Sequence, residues 1–208
     1  MPSDAHEWDA RYAGSDPWGS EPNRWVRKLT ADLTPGRALD VAAGDGRHAL
    51  WLAARGWQVD AVDFSAVAVE RGREAVSRLP AGSGAVDWHV ADATTFEPRP
   101  GSADLVVVAY LQLPDAQLAR ALTLSATALA PNGTLVLVGH DRTNLRDGVG
   151  GPRDPDVLTD LAAVEAVLVS AGLEVRVAEV ARRPVDGSER PALDAVVVAR
   201  RGPSSGSE

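Results

Sequence analysis

"ALDVAAGDGRHALWLAARGWQVDAVDFS", residues 38–65, decides the fold. A short apolar run, Ala38 to Val41, ends in small residues, Ala42-Ala43-Gly44-Asp45-Gly46. A helical pattern then follows, with Leu50, Ala53 and Ala54 on one face and Gly56 at its end. A second run, "QVDAVDF" (58–64), alternates apolar and polar residues and runs out at an acid, Asp63. Strand, glycine turn, helix and second strand make a βαβ unit whose turn presents helix N–H groups to a ligand. Gly44, Gly46 and Ala49 satisfy G-x-G-x-x-G/A, and Asp63 stands about 20 residues beyond Gly44, where a carboxylate can accept from a ribose diol. The motif alone fits a dinucleotide and S-adenosylmethionine equally well.

The rest of the chain repeats the alternation. Ser65 caps a helix over "AVAVERGREAVSRL", which Pro80 and the glycines after it stop. "VDWHVADAT" (86–94) is a third strand, and "ADLVVVAYLQL" (103–113) is apolar enough to be a central parallel one. A helix is predicted over 115–129, then a "PNG" turn into a fifth strand, "TLVLVGH" (134–140). A polar loop over 141–156, long enough to act as a lid, precedes the helix in "VLTDLAAVEAVLVSAG". "EVRVAEVARR" and "ALDAVVVAR" have no helix between them, so they pair as an antiparallel hairpin. The expected fold is α/β: a doubly wound, Rossmann-like, mostly parallel seven-stranded sheet with an antiparallel C-terminal hairpin and helices on both faces. Residues 1–36 form an aromatic segment with a helix from Pro22 that caps the site, 37–201 the main domain, and 202–208 a disordered tail.

Composition narrows the function. A net charge of −8 argues against nucleic acid as the main partner, because phosphate binding needs a basic surface. The absence of cysteine removes disulfides, thiolate nucleophiles and cysteine-based zinc sites, and no metal is expected. The polar, acidic start "MPSDAHEWDARYAG" is not a signal peptide and no apolar run is long enough to span a bilayer, so a cytoplasmic monomer or homodimer is expected.

Charge also separates the cofactors. Asp40 and Asp45 crowd the turn; they would repel a pyrophosphate and attract an amino-acid ammonium, which favours S-adenosylmethionine over NAD. A short-chain NAD(P) oxidoreductase would want Tyr-x-x-x-Lys, yet no lysine follows Tyr110. Asp92, after the third strand, can accept from an adenine amino group while the Ala93 N–H faces a ring nitrogen.

On "LDVAAGDGRHALWLAARGWQVDAVDFS", the later "ADAT" and the final hairpin, the chain resembles class I S-adenosylmethionine-dependent methyltransferases, and more narrowly their tellurite-resistance and thiopurine methyltransferase-like branch. The resemblance implies that Asp40, Ala42, Gly44 and Gly46 hold the methionyl end. It implies that Asp63, beside Phe64, binds the ribose, Asp92 and Ala93 the adenine, and Tyr110 the cofactor's amino end through its backbone. Ala42 departs from the pattern, standing where the family usually has its first glycine. The branch also implies that Trp8 and Trp18 lie against the cofactor with Tyr12 close by, on the substrate side.

His140, after the fifth strand, is the candidate general base, with Gln112, Asp141 and Arg142 toward the substrate; His48 reads as structural. "AYLQLP" stands where amide and exocyclic-amine methyltransferases carry N-P-P-Y. The function expected is methyl transfer to a small-molecule sulfur, nitrogen, oxygen or chalcogen nucleophile; a non-catalytic S-adenosylmethionine sensor is the alternative.

Overall fold

The computed structural model describes residues 5–14 and 19–204. Trp18 and the last four residues of the tail lie outside them. Seven strands form one sheet: β1 (Arg37–Val41), β2 (Gln58–Asp63), β3 (Val86–Val90), β4 (Ala103–Ala109), β5 (Leu129–His140), β6 (Leu173–Arg183) and β7 (Ala192–Arg201). Their order is β3-β2-β1-β4-β5-β7-β6, with β7 antiparallel to both neighbours and the other pairs parallel. The fold is therefore the expected one. The order reverses between β1 and β4, and an open α/β sheet binds its ligand beyond the carboxyl ends of the strands at such a switch point.

Both faces are covered, which is why β4 is apolar at nearly every position. Val106 and Val108 pack on one face with Leu122 of α5 (Asp115–Thr127) and Leu168 of α7 (Leu161–Ser170). Leu105 and Val107 pack on the other with Val26 of α2 (Arg24–Thr30) and Leu52 of α3 (Arg47–Ala53). Alternate side chains of a strand point to opposite faces, so a doubly covered strand has no polar side.

Local chemistry sets the helix ends. Ser65 caps α4 (Ala66–Val76), accepting from the Ala68 N–H, as its sequence predicts. Asn23, not Pro22, starts α2, its side chain accepting from the Trp25 N–H. The "PNG" turn is instead an irregularity within β5: Asn132 takes a left-handed φ of 64° while Leu129 pairs with Ala103. The expected lid holds a short helix, α6 (Asn144–Asp147), pinned where Asn144 accepts from the Leu193 N–H and donates to the Gly150 carbonyl. An N-terminal helix, α1 (Ala5–Gly14), packs against α4.

Trp88 on β3 fills a slot made by two glycines. A Cβ on Gly72 would lie 2.1 Å from its ring, and one on Gly46 2.2 Å. Glycine to alanine inside a helix normally stabilises, but overpacking a rigid indole costs about 1–3 kcal/mol and wins here. Gly72→Ala is expected to lower the urea midpoint, and Trp88→Phe in the same chain to recover part of the loss. A Gly72→Ala midpoint at or above wild type would show that the slot is loose.

Candidate functional site

Three left-handed residues, Ala42 (φ 58°), Gly44 (59°) and Gly46 (88°), turn the chain from β1 into α3. Ala42 adopts the conformation despite its methyl group, at a cost of about 1–2 kcal/mol. The turn is held by β2: the Ala43 N–H donates to the Val62 carbonyl and the Gly44 N–H to Asp63 Oδ2 at 2.8 Å. Asp63 Oδ1 accepts from the Ser65 N–H at 2.9 Å. One carboxylate thus ties the glycine turn to the end of β2, leaving a lone pair on each oxygen for a further donor. Burial raises its pKa, and the two backbone donors pull it back. Gly46 does not face the cleft as expected: it begins α3, and Trp88 explains why no side chain fits there.

Asp40 lies beneath the turn, 0% exposed, with neither oxygen meeting a donor in full hydrogen-bond geometry. Burial pushes its carboxyl up to about 7 against the pull of the Ala49 amide and the Arg47 guanidinium. Asp40 is not among the residues lining the cleft, so it would act on a ligand there as a field through the turn. A carboxylate left without a partner suits a cation held above it, as the ammonium and sulfonium of S-adenosylmethionine would be.

Beyond β2 and β3, Phe64, Asp92 and Ala93 line the cleft. Asp92 is exposed, and its Oδ1 accepts from the Thr94 N–H and hydroxyl, fixing the loop. Helix α1 covers the turn. Asp9 accepts from the Ser65 hydroxyl and the Val67 N–H, and Arg71 donates to the Tyr12 carbonyl. Trp8 and Tyr12 both line the cleft, their rings 6.0 Å apart. A Cβ on Gly44 would lie 2.3 Å from the Tyr12 hydroxyl, so Tyr12 sits directly against the glycine turn.

Beside the turn, with the Arg47 guanidinium 6.0 Å over its ring, stands Tyr110, whose left-handed φ of 56° after β4 is a strained conformation of the kind that clusters at functional sites. Its hydroxyl accepts from Asn23 Nδ2 at 2.8 Å and donates to Asp194 Oδ2 at 3.2 Å. Burial, with Asp194 beside it, pushes that phenol up to about 12. His140 packs against the Tyr110 ring at 4.8 Å. Arg183, at the end of β6, donates Nε to Asp194 at 2.7 Å. Asn23, Arg183 and Asp194 were not anticipated. The signal for Asp194 is a lone charge inside the apolar "ALDAVVV", and for Asn23 an N-cap residue before a helix. His48 is structural: buried, it accepts the Asn23 N–H, and burial lowers its pKa to about 3.

Gln112 lines the cleft; Asp141 and Arg142 lie outside its wall. Asp141 is buried and caps the Thr143 N–H and hydroxyl, while Arg142 reaches outward to Asp115 at 2.5 Å and Asp160 at 3.2 Å. From the 141–156 stretch, Val149 to Pro152 line the cleft. The cleft runs from Asp92 to Val185 with a volume of about 1290 Å³. A small-ligand site is about 300–1,000 Å³, so there is room for two ligands side by side.

Comparison with known proteins adds the class. Residues 38–133 match the family described as a methyltransferase domain. A crystal structure of the N-methyltransferase NodS from Bradyrhizobium japonicum, in complex with S-adenosyl-L-homocysteine, superposes with a TM-score of 0.72 at 18% identity, covering 96% of this chain and 99% of that one. Magnesium protoporphyrin IX methyltransferase from Synechocystis with bound S-adenosylhomocysteine gives 0.65 at 19% identity, over 85% and 80%. At such identities the likeness is one of fold. Ribosomal RNA small subunit methyltransferase C of Alcanivorax borkumensis is 36% identical over 73 residues, 35% of this chain; the match spans about a fifth of that relative's length, 21%. Residues 38–133 thus match a methyltransferase domain, and the solved neighbours share the fold of the sheet.

Proposed function

We propose that the protein transfers the methyl group of S-adenosylmethionine to a small-molecule sulfur, nitrogen, oxygen or chalcogen nucleophile. The observation that carries this is one cleft whose lining is both acidic and apolar. Its lining brings Asp63, Asp92 and the glycine turn together with the apolar side chains of Leu111, Leu113, Val149, Pro152 and Val185 and the polar His140 and Arg183. An apolar pocket with a few convergent polar groups suits a small organic acceptor.

S-adenosylmethionine brings an already activated methyl group, so the chain's work is positioning. Asp63 accepts from the ribose diol, Asp92 from the adenine amino group, and the Ala93 N–H meets a ring nitrogen. Trp8, Tyr12 and Phe64 offer aromatic faces, each worth about 0.5–2 kcal/mol to a nearby cation. The cover formed by α1 supports the tellurite-resistance and thiopurine methyltransferase-like branch, whose aromatic N-terminal segment it resembles. Gln112 and His140 stand on the acceptor side.

The ribosomal relative sets the competing acceptor, and the net charge of −8 disfavours it. The test offers methyl-labelled S-adenosylmethionine with thiols, phenols and heterocyclic amines in one arm and small ribosomal subunits in the other. Label in the small-molecule arm is expected. Label confined to RNA would overturn the reading, and saturable cofactor binding with no label in either arm would favour the sensor alternative.

A further inference from the structure

Asp194 is the most heavily used side chain of the acceptor end. Wholly buried in β7, it accepts from Trp25 Nε1 at 3.0 Å, the Tyr110 hydroxyl at 3.2 Å, Arg183 Nε at 2.7 Å and Arg183 Nη2 at 3.3 Å. Strand register places it directly opposite His140 of β5. His140 Nδ1 is buried, 3.6 Å from Asp194 Oδ1, and makes no hydrogen bond. Among the described residues none hydrogen-bonds Nε2, and the ring lines the cleft.

A lone pair on Nδ1 would face the carboxylate's own lone pairs, so the favourable tautomer carries its hydrogen on Nδ1. The bare nitrogen is then Nε2. Room for the ring is kept by Gly151, where a Cβ would lie 2.9 Å from His140. The charged and titratable groups facing the ring are Asp194 from β7, Arg183 from β6 and Tyr110 after β4. Burial lowers the imidazole's pKa, Asp194 raises it and Arg183 lowers it again, which keeps the ring neutral near pH 7.

Resting on the methyltransferase reading above, we propose that Asp194 is a positioning residue that holds His140 with Nδ1–H turned inward and Nε2 bare toward the acceptor. The acceptor class is thereby narrowed to compounds with a proton to lose, hydroxyls or thiols. As the oxygen or sulfur takes the methyl group, the S–CH3 bond breaks and the sulfonium becomes a neutral thioether. The proton of the acceptor passes to His140 Nε2, and from there to solvent when product leaves. Hydrogen bonds of this kind are often long without substrate and tighten in the complex.

The test reads the imidazole directly. Nitrogen-15 spectra of the S-adenosylhomocysteine-saturated protein, with His140→Gln assigning the signal, are expected to show Nδ1 protonated and Nε2 bare, with a pKa below the ordinary histidine value. In Asp194→Asn the tautomer is expected to be lost or mixed and the pKa to fall further. An Nε2–H tautomer in the wild type, or an unchanged tautomer and pKa in Asp194→Asn, would overturn the proposal. Should Asp194→Asn fail to fold, because Arg183 loses its counter-charge, the wild-type tautomer alone decides. Calorimetry of S-adenosylhomocysteine on the same sample reports separately on the cofactor reading.

Discussion

Asp63→Ala is expected to weaken S-adenosylmethionine binding about 100-fold, roughly 2.7 kcal/mol. Hydrogen bonds from a ribose diol to a charged, buried carboxylate are worth about 1.5–3 kcal/mol each. The substitution also frees the Gly44 and Ser65 N–H groups, which both rely on this carboxylate. The turn then loses its tie to β2 at Gly44 and keeps only the Ala43 N–H to Val62 carbonyl bond. Part of the loss is therefore preorganisation, and Asp63→Asn, with one oxygen for two backbone donors, should fall between wild type and alanine. Calorimetric titration checks this series; equal affinities across the three proteins would remove Asp63 from the site.

Asp40→Asn is expected to act in opposite directions on stability and binding. The Asp40 carboxyl rises from 3.8 to about 7 on folding, because burial opposes its charge. A raised folded-state pKa means that the native state holds the proton more tightly than the unfolded chain. The stability this contributes is complete below pH 4 and is lost as pH climbs through 7. At 1.36 kcal/mol per pKa unit, the ligand-free wild type loses on the order of 4 kcal/mol across that window, and Asp40→Asn, which has no proton to lose, does not. Melting curves at pH 4 and pH 8 should show the variant gaining roughly 10 °C on wild type at the higher pH. Its affinity for S-adenosylmethionine should meanwhile drop about tenfold, since the field on the ligand's cationic groups is gone. A melting difference that does not change with pH would mean that Asp40 finds a partner in solution.

The fold was legible wherever a pattern is local. The 38–65 unit reads from its own glycines and periodicity, the Ser65 cap from its neighbours, and the terminal hairpin from the missing helix. What stayed hidden depends on contacts across the chain. Helix α1 is secured by Asp9 reaching Ser65 and Val67 and by Arg71 reaching back to Tyr12, partners more than fifty residues away. "PNG" is strong turn chemistry, yet pairing with β4 carries β5 through it. Within the site, Phe64, Asp92, Ala93 and Tyr110 follow from strand ends. Asp194 does not, because only the antiparallel register brings it opposite His140. Asp141 and Arg142 misled because proximity in sequence to His140 says nothing about direction: one turns inward to cap Thr143, the other outward to Asp115 and Asp160.

Whether the cleft holds S-adenosylmethionine over the Gly44 turn is decided by equilibrium titration of the wild-type protein with S-adenosylmethionine, with NADPH as comparator. One saturable site for S-adenosylmethionine and none for NADPH is the result predicted. Binding of NADPH with no heat or melting shift from S-adenosylmethionine would contradict it.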